Sequence, residues 1–313
     1  MLHQEVPHQE ASTGRPSRGL PPWALVPVAG LGWWLVGYLP ALLEELLAGS
    51  PVRGWPLVPL LATRGGALVT GAFAGGIAAG LLGLLARRGR RRTAVGATGA
   101  GMAAAMAVTL LLVGLFLADQ RPAAGDDGGV VAGLGLLTVL AGLLGWALGS
   151  AWVVGRVGLG VALAALATAV PAWSSSLQIA VLNATQADGL LVLDWRWTEW
   201  AGAAVLAAAL VVIGIRPAAR LAWWAVVLVG AWFVEPAFTA VVNLEFYLRG
   251  AVPGMPGVPE TLSEALAAAV QEVFWVAARP DYQPVAPLIA AVVVAALVCL
   301  VRPRLAARRA TTA

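Results

Sequence analysis

Residues 130–154 read VVAGLGLLTVLAGLLGWALGSAWVV, an apolar run that contains no charged side chain. A transmembrane α-helix needs about 20 mostly apolar residues to cross roughly 30 Å of hydrocarbon. The run lacks the strict alternation of apolar and polar residues that is typical of a membrane β-strand. It is therefore predicted to be a membrane-spanning helix.

Stretches of the same kind recur along the chain. They lie at about 22–43, 66–86, 94–118, 130–154, 157–182, 200–215, 221–242 and 285–301, and the sixth and eighth are short. The first runs into Glu44 and Glu45 without a small-x-small cleavage site, so we expect an uncleaved helix and not a signal peptide. The sequence predicts an all-α, polytopic integral membrane protein with one domain, 22–301, of about eight transmembrane helices. A polar tail, 1–21, precedes this domain, and a basic tail, 302–313, comes after it.

The composition excludes several classes of protein. The chain is 60% hydrophobic and 12% charged, against about 25% charged residues in soluble domains. All 20 cationic residues are arginines, the two histidines, His3 and His8, lie in the first tail, and Cys299 is the single cysteine. The low charge excludes an ordinary soluble enzyme. The absence of lysine excludes lysine-linked Schiff-base chemistry, and the single cysteine excludes a disulfide scaffold. Almost no ligands remain for haem, zinc or an iron–sulfur cluster. We expect no cofactor, no metal and no nucleic acid, and the absence of lysine favours a bacterial source.

Charge is distributed unevenly between the two sides of the predicted bundle. With the amino terminus inside, 14 of the 20 arginines fall in inner segments, including the cluster at 87–92. The carboxylates show the opposite bias, since only Glu5 and Glu10 are inside. Because positive residues favour the cytoplasmic side, we expect a multi-pass protein of the cell (inner or plasma) membrane with both termini in the cytoplasm.

Glu235 is the main candidate for chemistry inside the membrane. An ionisable group there is costly, and it indicates an ion or proton pathway or a buried partner. Pro236 comes directly after it and removes a helical hydrogen bond, while residues 239 and 243 continue the same helix face because they are four apart. Polar residues at similar depth on the fifth helix complete a predicted substrate or proton pathway, whose members are Glu235, Thr239, Asn243, Ser174 and Gln178.

A second set of candidates lies at the predicted outer face. Glu44 and Glu45 close the first helix, and Asp194, Trp195, Arg196 and Trp197 precede the sixth. Tryptophans beside carboxylates can stack a sugar or hold a cation. Tryptophans also anchor helices at the headgroup level, and this second interpretation is favoured for most of the 14 in the chain, including Trp33, Trp34, Trp223 and Trp224.

The last outer loop, 243–284, is predicted to contain an amphipathic helix at 261–278. Its apolar face would consist of Leu262, Leu266, Ala269, Val270 and Val273. We expect this helix to cover the bundle or to dock a protein partner.

Rows of small residues also recur on the second, third and fourth helices. They favour close helix packing inside the chain, and an interface between copies of the protein is the alternative.

Three functions are compatible with these features. The favoured one is a transporter or permease component for a small or lipid-like substrate, proton-linked through Glu235. The alternatives are a non-catalytic membrane subunit that docks through 243–284, and an enzyme acting on lipid-linked substrates at the outer face. Neither the transporter nor the non-catalytic subunit requires a catalytic residue. In all three cases the protein contacts the lipid bilayer.

Overall fold

The computed structural model of the protein describes residues 19–47, 65–87, 89–120, 128–185, 196–249 and 262–311. Within these ranges the chain is all-helical and contains no strand, which confirms the predicted all-α class. The helices are α1 (Pro22–Leu47), α2 (Gly65–Leu82), α3 (Arg91–Gln120), α4 (Gly128–Gly149), α5 (Arg156–Thr185), α6 (Arg196–Ile213), α7 (Arg220–Arg249), α8 (Leu262–Ala268), α9 (Trp275–Ala277) and α10 (Val285–Thr311).

Seven of these helices, α1 to α5, α7 and α10, are long and apolar enough to cross a membrane. The apolar part of α6, Trp197–Ile213, is shorter. At about 1.5 Å per residue it is roughly 26 Å long, slightly less than the hydrocarbon thickness. The described chain is thus a multi-pass helical membrane protein, and the predicted eighth crossing depends on α6, one of the two short stretches in the sequence.

Two helices continue past the predicted membrane-spanning stretches, whose ends at about 242 and 301 agree with the apolar spans Arg220–Val241 and Val285–Arg302. α7 continues to Arg249, so Asn243 lies within a helix and not at the start of a loop. α10 continues to Thr311, so most of the predicted tail at 302–313 is helical. Hydropathy indicates where the hydrocarbon ends, whereas backbone hydrogen bonds can extend a helix beyond that point.

α2 lies at the centre of the bundle. Its span is 72% buried, because α1, α4, α5 and α7 all pack against it. One core, built around Trp33, lies between α1, α2, α3 and α4. A second core, built around Leu210 and Ile213, lies between α5, α6, α7 and α10. Phe73 of α2 and Phe238 of α7 connect the two halves, with ring centroids 5.2 Å apart.

The glycines of α2 bring helix backbones into contact. A side chain at Gly71 would meet the backbone of Gly37 in α1. On another face, a methyl group at Gly80 would lie 2.6 Å from backbone atoms of Gly149 and Ser150, where α4 ends. Such close approach increases van der Waals contact, which drives helix association in a membrane. The glycines therefore pack within the chain, and the interface between copies stays a prediction.

Several tryptophans hold helices together instead of forming a belt. Trp33 is fully buried and Trp224 is 7% exposed, so the prediction that they lie at the headgroups or against lipid is wrong. A buried indole N–H needs a partner where water is absent, and five indoles donate to groups on neighbouring elements. They are Trp33 to Ala72 O (3.3 Å), Trp146 to Thr98 Oγ1 (3.2 Å), Trp152 to Gly80 O (2.9 Å), Trp173 to Val36 O (2.6 Å) and Trp232 to Ala278 O (3.0 Å).

The turns around 83–90, 150–155 and 214–219 lie at the same end of the bundle, since Trp152 donates to Gly80 O and a methyl group at Gly160 would meet Ile213. There the backbone of Leu20, before α1, accepts a hydrogen bond from Arg87 N (3.2 Å), and Trp152 packs in a cluster with Leu25 and Ala94. Seven of the fourteen arginines in the described ranges belong to these turns and the adjoining helix starts, and four more lie in the last part of α10. The bundle therefore has one arginine-rich end.

The predicted amphipathic helix is present from Leu262 to Ala277, but it is not a regular α-helix. Residues Ala269–Phe274 form a π-helical turn, which adds a residue to the turn and rotates the later side chains around the helix axis. Ala269, which belongs to the predicted apolar face, is buried and packs against Ala240 of α7. Val270 of the same predicted face is 47% exposed, and Phe274 packs against this cluster. The prediction for Val270 is wrong because it assumed a constant helical period.

Candidate functional site

Glu235 lies in the membrane-spanning part of α7 and lines a cavity between helices. The side chain is partly buried, and α5, α6, α7 and the start of α10 form the walls. The cavity has a volume of about 60 Å³, and a volume of about 10–15 Å³ is enough to hold one water molecule. The cavity can therefore hold a few waters or a small cation. Its lining includes Thr168, Pro171, Glu199, Gly202, Leu206, Glu235, Pro284, Pro287 and Leu288.

A second carboxylate, that of Glu199, lines the same cavity from the first turn of α6. No basic residue is among the described lining residues. Two carboxylates at one small cavity repel each other when both are ionised, so a proton or a cation between them is favoured. The arrangement is therefore suited to taking up a positive charge.

A backbone carbonyl that lacks its usual helical partner lies beside this cavity. Pro171 has no N–H, so the carbonyl of Ala167 one turn earlier lacks its usual helical partner. That carbonyl points toward α6, since a methyl group at Gly202 would lie 3.0 Å from Ala167 O. Ala167 also lines the cavity. The Thr168 hydroxyl is already engaged, because it donates to Ala165 O at 2.8 Å.

Thr239 and Asn243 do not line this cavity, although they lie beyond Glu235 on the same helix. The Thr239 hydroxyl is exposed and donates to the backbone oxygen of Glu235 at 3.1 Å. The Asn243 amide donates to the backbone oxygen of Thr239 at 2.9 Å. Both side chains thus bind the backbone of α7, and the three residues form a polar row on the helix surface.

Ser174 and Gln178 are buried in α5, apart from the lining of the Glu235 cavity. The Ser174 hydroxyl donates to Val170 O in its own helix. The Gln178 side chain is 8% exposed, and its Nε2 has no hydrogen-bond partner among the described residues. The structure therefore brings Glu235 together with Glu199, and it does not bring Glu235 together with the two predicted residues of α5.

A smaller cavity of about 30 Å³ lies between α1, α2, α5 and α7. It is lined by Tyr38, Thr70, Trp173 and Ser176, among others. Tyr38 is 3% exposed, and its hydroxyl has no hydrogen-bond partner in the described part of the chain. This cavity is suited to one or two polar atoms, and it contains none of the predicted pathway residues.

The outer-face candidates are only partly described. Asp194 and Trp195 lie outside the described residues. Glu44, Glu45 and Arg196 lie in helices, at the end of α1 and the start of α6, but their side chains are outside the described set. The remaining candidate, Trp197, is 50% exposed at the start of α6. A site formed by these residues stays a prediction. Within the described ranges, no group of three or more His, Cys, Asp or Glu side chains could hold a metal ion.

Sequence reasoning missed the role of Glu199 as the neighbour of Glu235. The sixth helix was predicted to start at 200, which placed Glu199 in a loop, whereas α6 starts at Arg196. The signal was nevertheless present, since both carboxylates lie toward the same end of two consecutive, antiparallel helices. Neither protein-family models, curated proteins nor solved structures gave a match to this chain.

Proposed function

We propose that the protein is a membrane transporter or permease component for a small or lipid-like substrate, in which Glu235 and Glu199 bind a proton or another cation during transport. The observation that carries this proposal is the shared cavity of the two carboxylates within the helical bundle. Ionisable groups at membrane depth are costly, and they are typical of ion paths and proton relays.

The surrounding helices favour a site whose shape can change. Pro171 lies within α5 and Pro236 within α7, and each removes one hydrogen bond from its helix. Interrupted helices beside a binding site are a recurring feature of secondary transporters, because they expose backbone oxygens and allow the helix halves to move. We expect a transport cycle to alter the cavity at these two prolines.

We further propose an orientation for the chain. Eight crossings, with α6 as the short one, place both termini and the arginine-rich end in the cytoplasm of a cell membrane. The carboxylate cavity and the segment from α8 to α9 then lie toward the outer side.

The orientation predicts the accessibility of single cysteines. In a variant whose Cys299 is replaced by alanine, Asp281→Cys should react with a membrane-impermeant maleimide in intact cells, because Asp281 is exposed at the proposed outer end. Arg90→Cys, exposed at the opposite end, should react only after the cells are permeabilised. Labelling of Arg90→Cys in intact cells would contradict the orientation.

The transport proposal predicts charge movement when protons bind. Wild-type protein in liposomes adsorbed on a solid-supported membrane should displace charge after a downward pH jump. Glu235→Gln should lose most of this signal and Glu199→Gln part of it, because each variant removes one carboxylate from the cavity. Asp281→Asn, which neutralises an exposed carboxylate outside the cavity, should retain the wild-type signal.

A second variant separates chemistry from folding. Glu235→Asp keeps the carboxylate and should retain charge displacement even if Glu235→Gln proves unstable in size-exclusion chromatography. If folded Glu235→Gln displaces as much charge as wild type, the ion-binding role is wrong, and a non-catalytic subunit becomes the favoured function.

A further inference from the structure

An apolar groove of about 520 Å³ runs between α7 and α10. Its walls are almost entirely hydrocarbon, from Leu228, Val229, Trp232 and Phe233 on one side and Val285, Leu288, Ile289, Val292 and Val293 on the other. The volume lies within the range of about 300–1,000 Å³ for pockets that hold small ligands. Both walls belong to membrane-spanning segments, so the groove faces the hydrocarbon of the bilayer.

This groove is adjacent to the carboxylate cavity. Leu288 lines both spaces, and Ala231, which lines the cavity, precedes Trp232 of the groove. Glu235 lies one helical turn beyond Ala231 on α7. The two spaces therefore combine a long apolar surface with an acidic end.

Apolar contacts alone would not select an occupant for the groove. The tails of bilayer lipids are as apolar as the groove, so a hydrocarbon chain gains little by moving from the bilayer into it. Discrimination must come from the polar end, where Glu199 and Glu235 face the cavity without a basic neighbour among the lining residues. Charge complementarity at that end favours a cationic head group.

We propose that the groove and the cavity together bind a membrane amphiphile with a hydrocarbon tail and an ammonium head group, and that this amphiphile is the transported substrate. The inference rests on the proposed transport function and specifies its substrate class. The tail lies between α7 and α10, and the ammonium group donates hydrogen bonds to the Glu235 and Glu199 carboxylates. Entry is lateral, from the bilayer, past Leu288.

Photolabelling of the full-length protein in liposomes tests this binding mode. The probe is a long-chain primary amine with a diazirine in the middle of its chain, and labelled peptides are mapped by mass spectrometry. Labelling should concentrate at 228–233 and 285–293. An excess of unlabelled long-chain amine should compete. The long-chain alcohol of equal length should compete about tenfold less well, because it lacks the ammonium group that binds the carboxylates. A short-chain amine should also compete about tenfold less well, because it partitions less into the bilayer and reaches the lateral entrance at a lower concentration.

Variants identify the two ends of the site. Glu235→Gln should reduce the preference for amine over alcohol by about tenfold, since a charge-assisted hydrogen bond is lost. Leu288→Trp should reduce labelling by narrowing the junction between groove and cavity. Leu297→Trp, on an exposed part of α10 outside the groove, should leave labelling unchanged.

The outcomes separate this inference from the transport proposal. Equal competition by the alcohol, or labelling spread over all exposed helices, would show that the groove holds only bulk lipid and would overturn the inference. If charge displacement on a pH jump is nevertheless intact in those preparations, the ion-binding proposal stands. Amine-selective labelling without any charge displacement by the wild type would instead overturn proton binding and keep the amphiphile site.

Discussion

The Gly145→Leu variant is expected not to accumulate as folded protein. A methyl group at Gly145 would lie 3.0 Å from the carbonyl carbon of Phe73 and 3.2 Å from the amide nitrogen of Ile77. Both atoms belong to the backbone of α2, which cannot move aside as a side chain can. Overpacking costs about 1–3 kcal/mol where side chains adjust, and more is expected here, against a total stability of about 5–15 kcal/mol. The measurement is the monodisperse fraction after detergent extraction.

The smaller change Gly145→Ala gives a graded version of this result. At about 2–4 °C per kcal/mol, it should lower the melting temperature by about 5–10 °C. Gly135 provides a control on the same helix, because nothing lies within 4 Å of a methyl group there. Gly135→Ala should be neutral or slightly stabilising, since alanine is favoured over glycine in helices by about 1 kcal/mol. Equal destabilisation by both alanine variants would contradict the α2–α4 contact.

Trp33→Ala is expected to cause the second large loss of stability, about 3–5 kcal/mol. Trp33 is fully buried, and its N–H donates to Ala72 O at 3.3 Å. Its ring packs edge-on against Tyr38 with centroids 5.3 Å apart, and it fills the space beside Gly75. Alanine would leave a cavity at the centre of the first core, and thermal unfolding in detergent would measure the loss.

Trp23 on the same helix is the matched control, since it is 76% exposed. Trp23→Ala should change the melting temperature little. Trp33→Phe should lie between wild type and Trp33→Ala, because it keeps an aromatic ring but loses the indole N–H. If Trp33→Ala unfolds at the temperature of Trp23→Ala, then Trp33 faces lipid, as the sequence predicted, and the described core is wrong.

The candidate site shows how far sequence reasoning extended. Glu235 could be identified because a carboxylate within an apolar stretch is conspicuous, and Pro236 beside it marks an interrupted helix. The choice of Ser174 and Gln178 as its neighbours relied on similar depth alone. Depth is a coordinate along the membrane normal, and it does not specify which way α5 is rotated. Glu199, which does share the cavity, lies just before the apolar stretch at 200–215, so hydropathy did not connect it with Glu235.

The sequence by itself determined the helical class, the approximate position of each helix and the distribution of arginines along the chain. These properties depend on the solvent around each segment. A single segment satisfies its own backbone hydrogen bonds within a bilayer only as a helix, and hydropathy shows which segments lie in the bilayer. The tertiary structure alone decided that α2 is central, that Trp33 lies inside, and that Glu235 shares a cavity with Glu199. In a bilayer, the side of a helix that faces lipid is about as apolar as the side that faces other helices. The pattern of hydrophobic residues therefore does not show which side is which. The distinction comes from how glycines and large side chains from distant parts of the chain fit together.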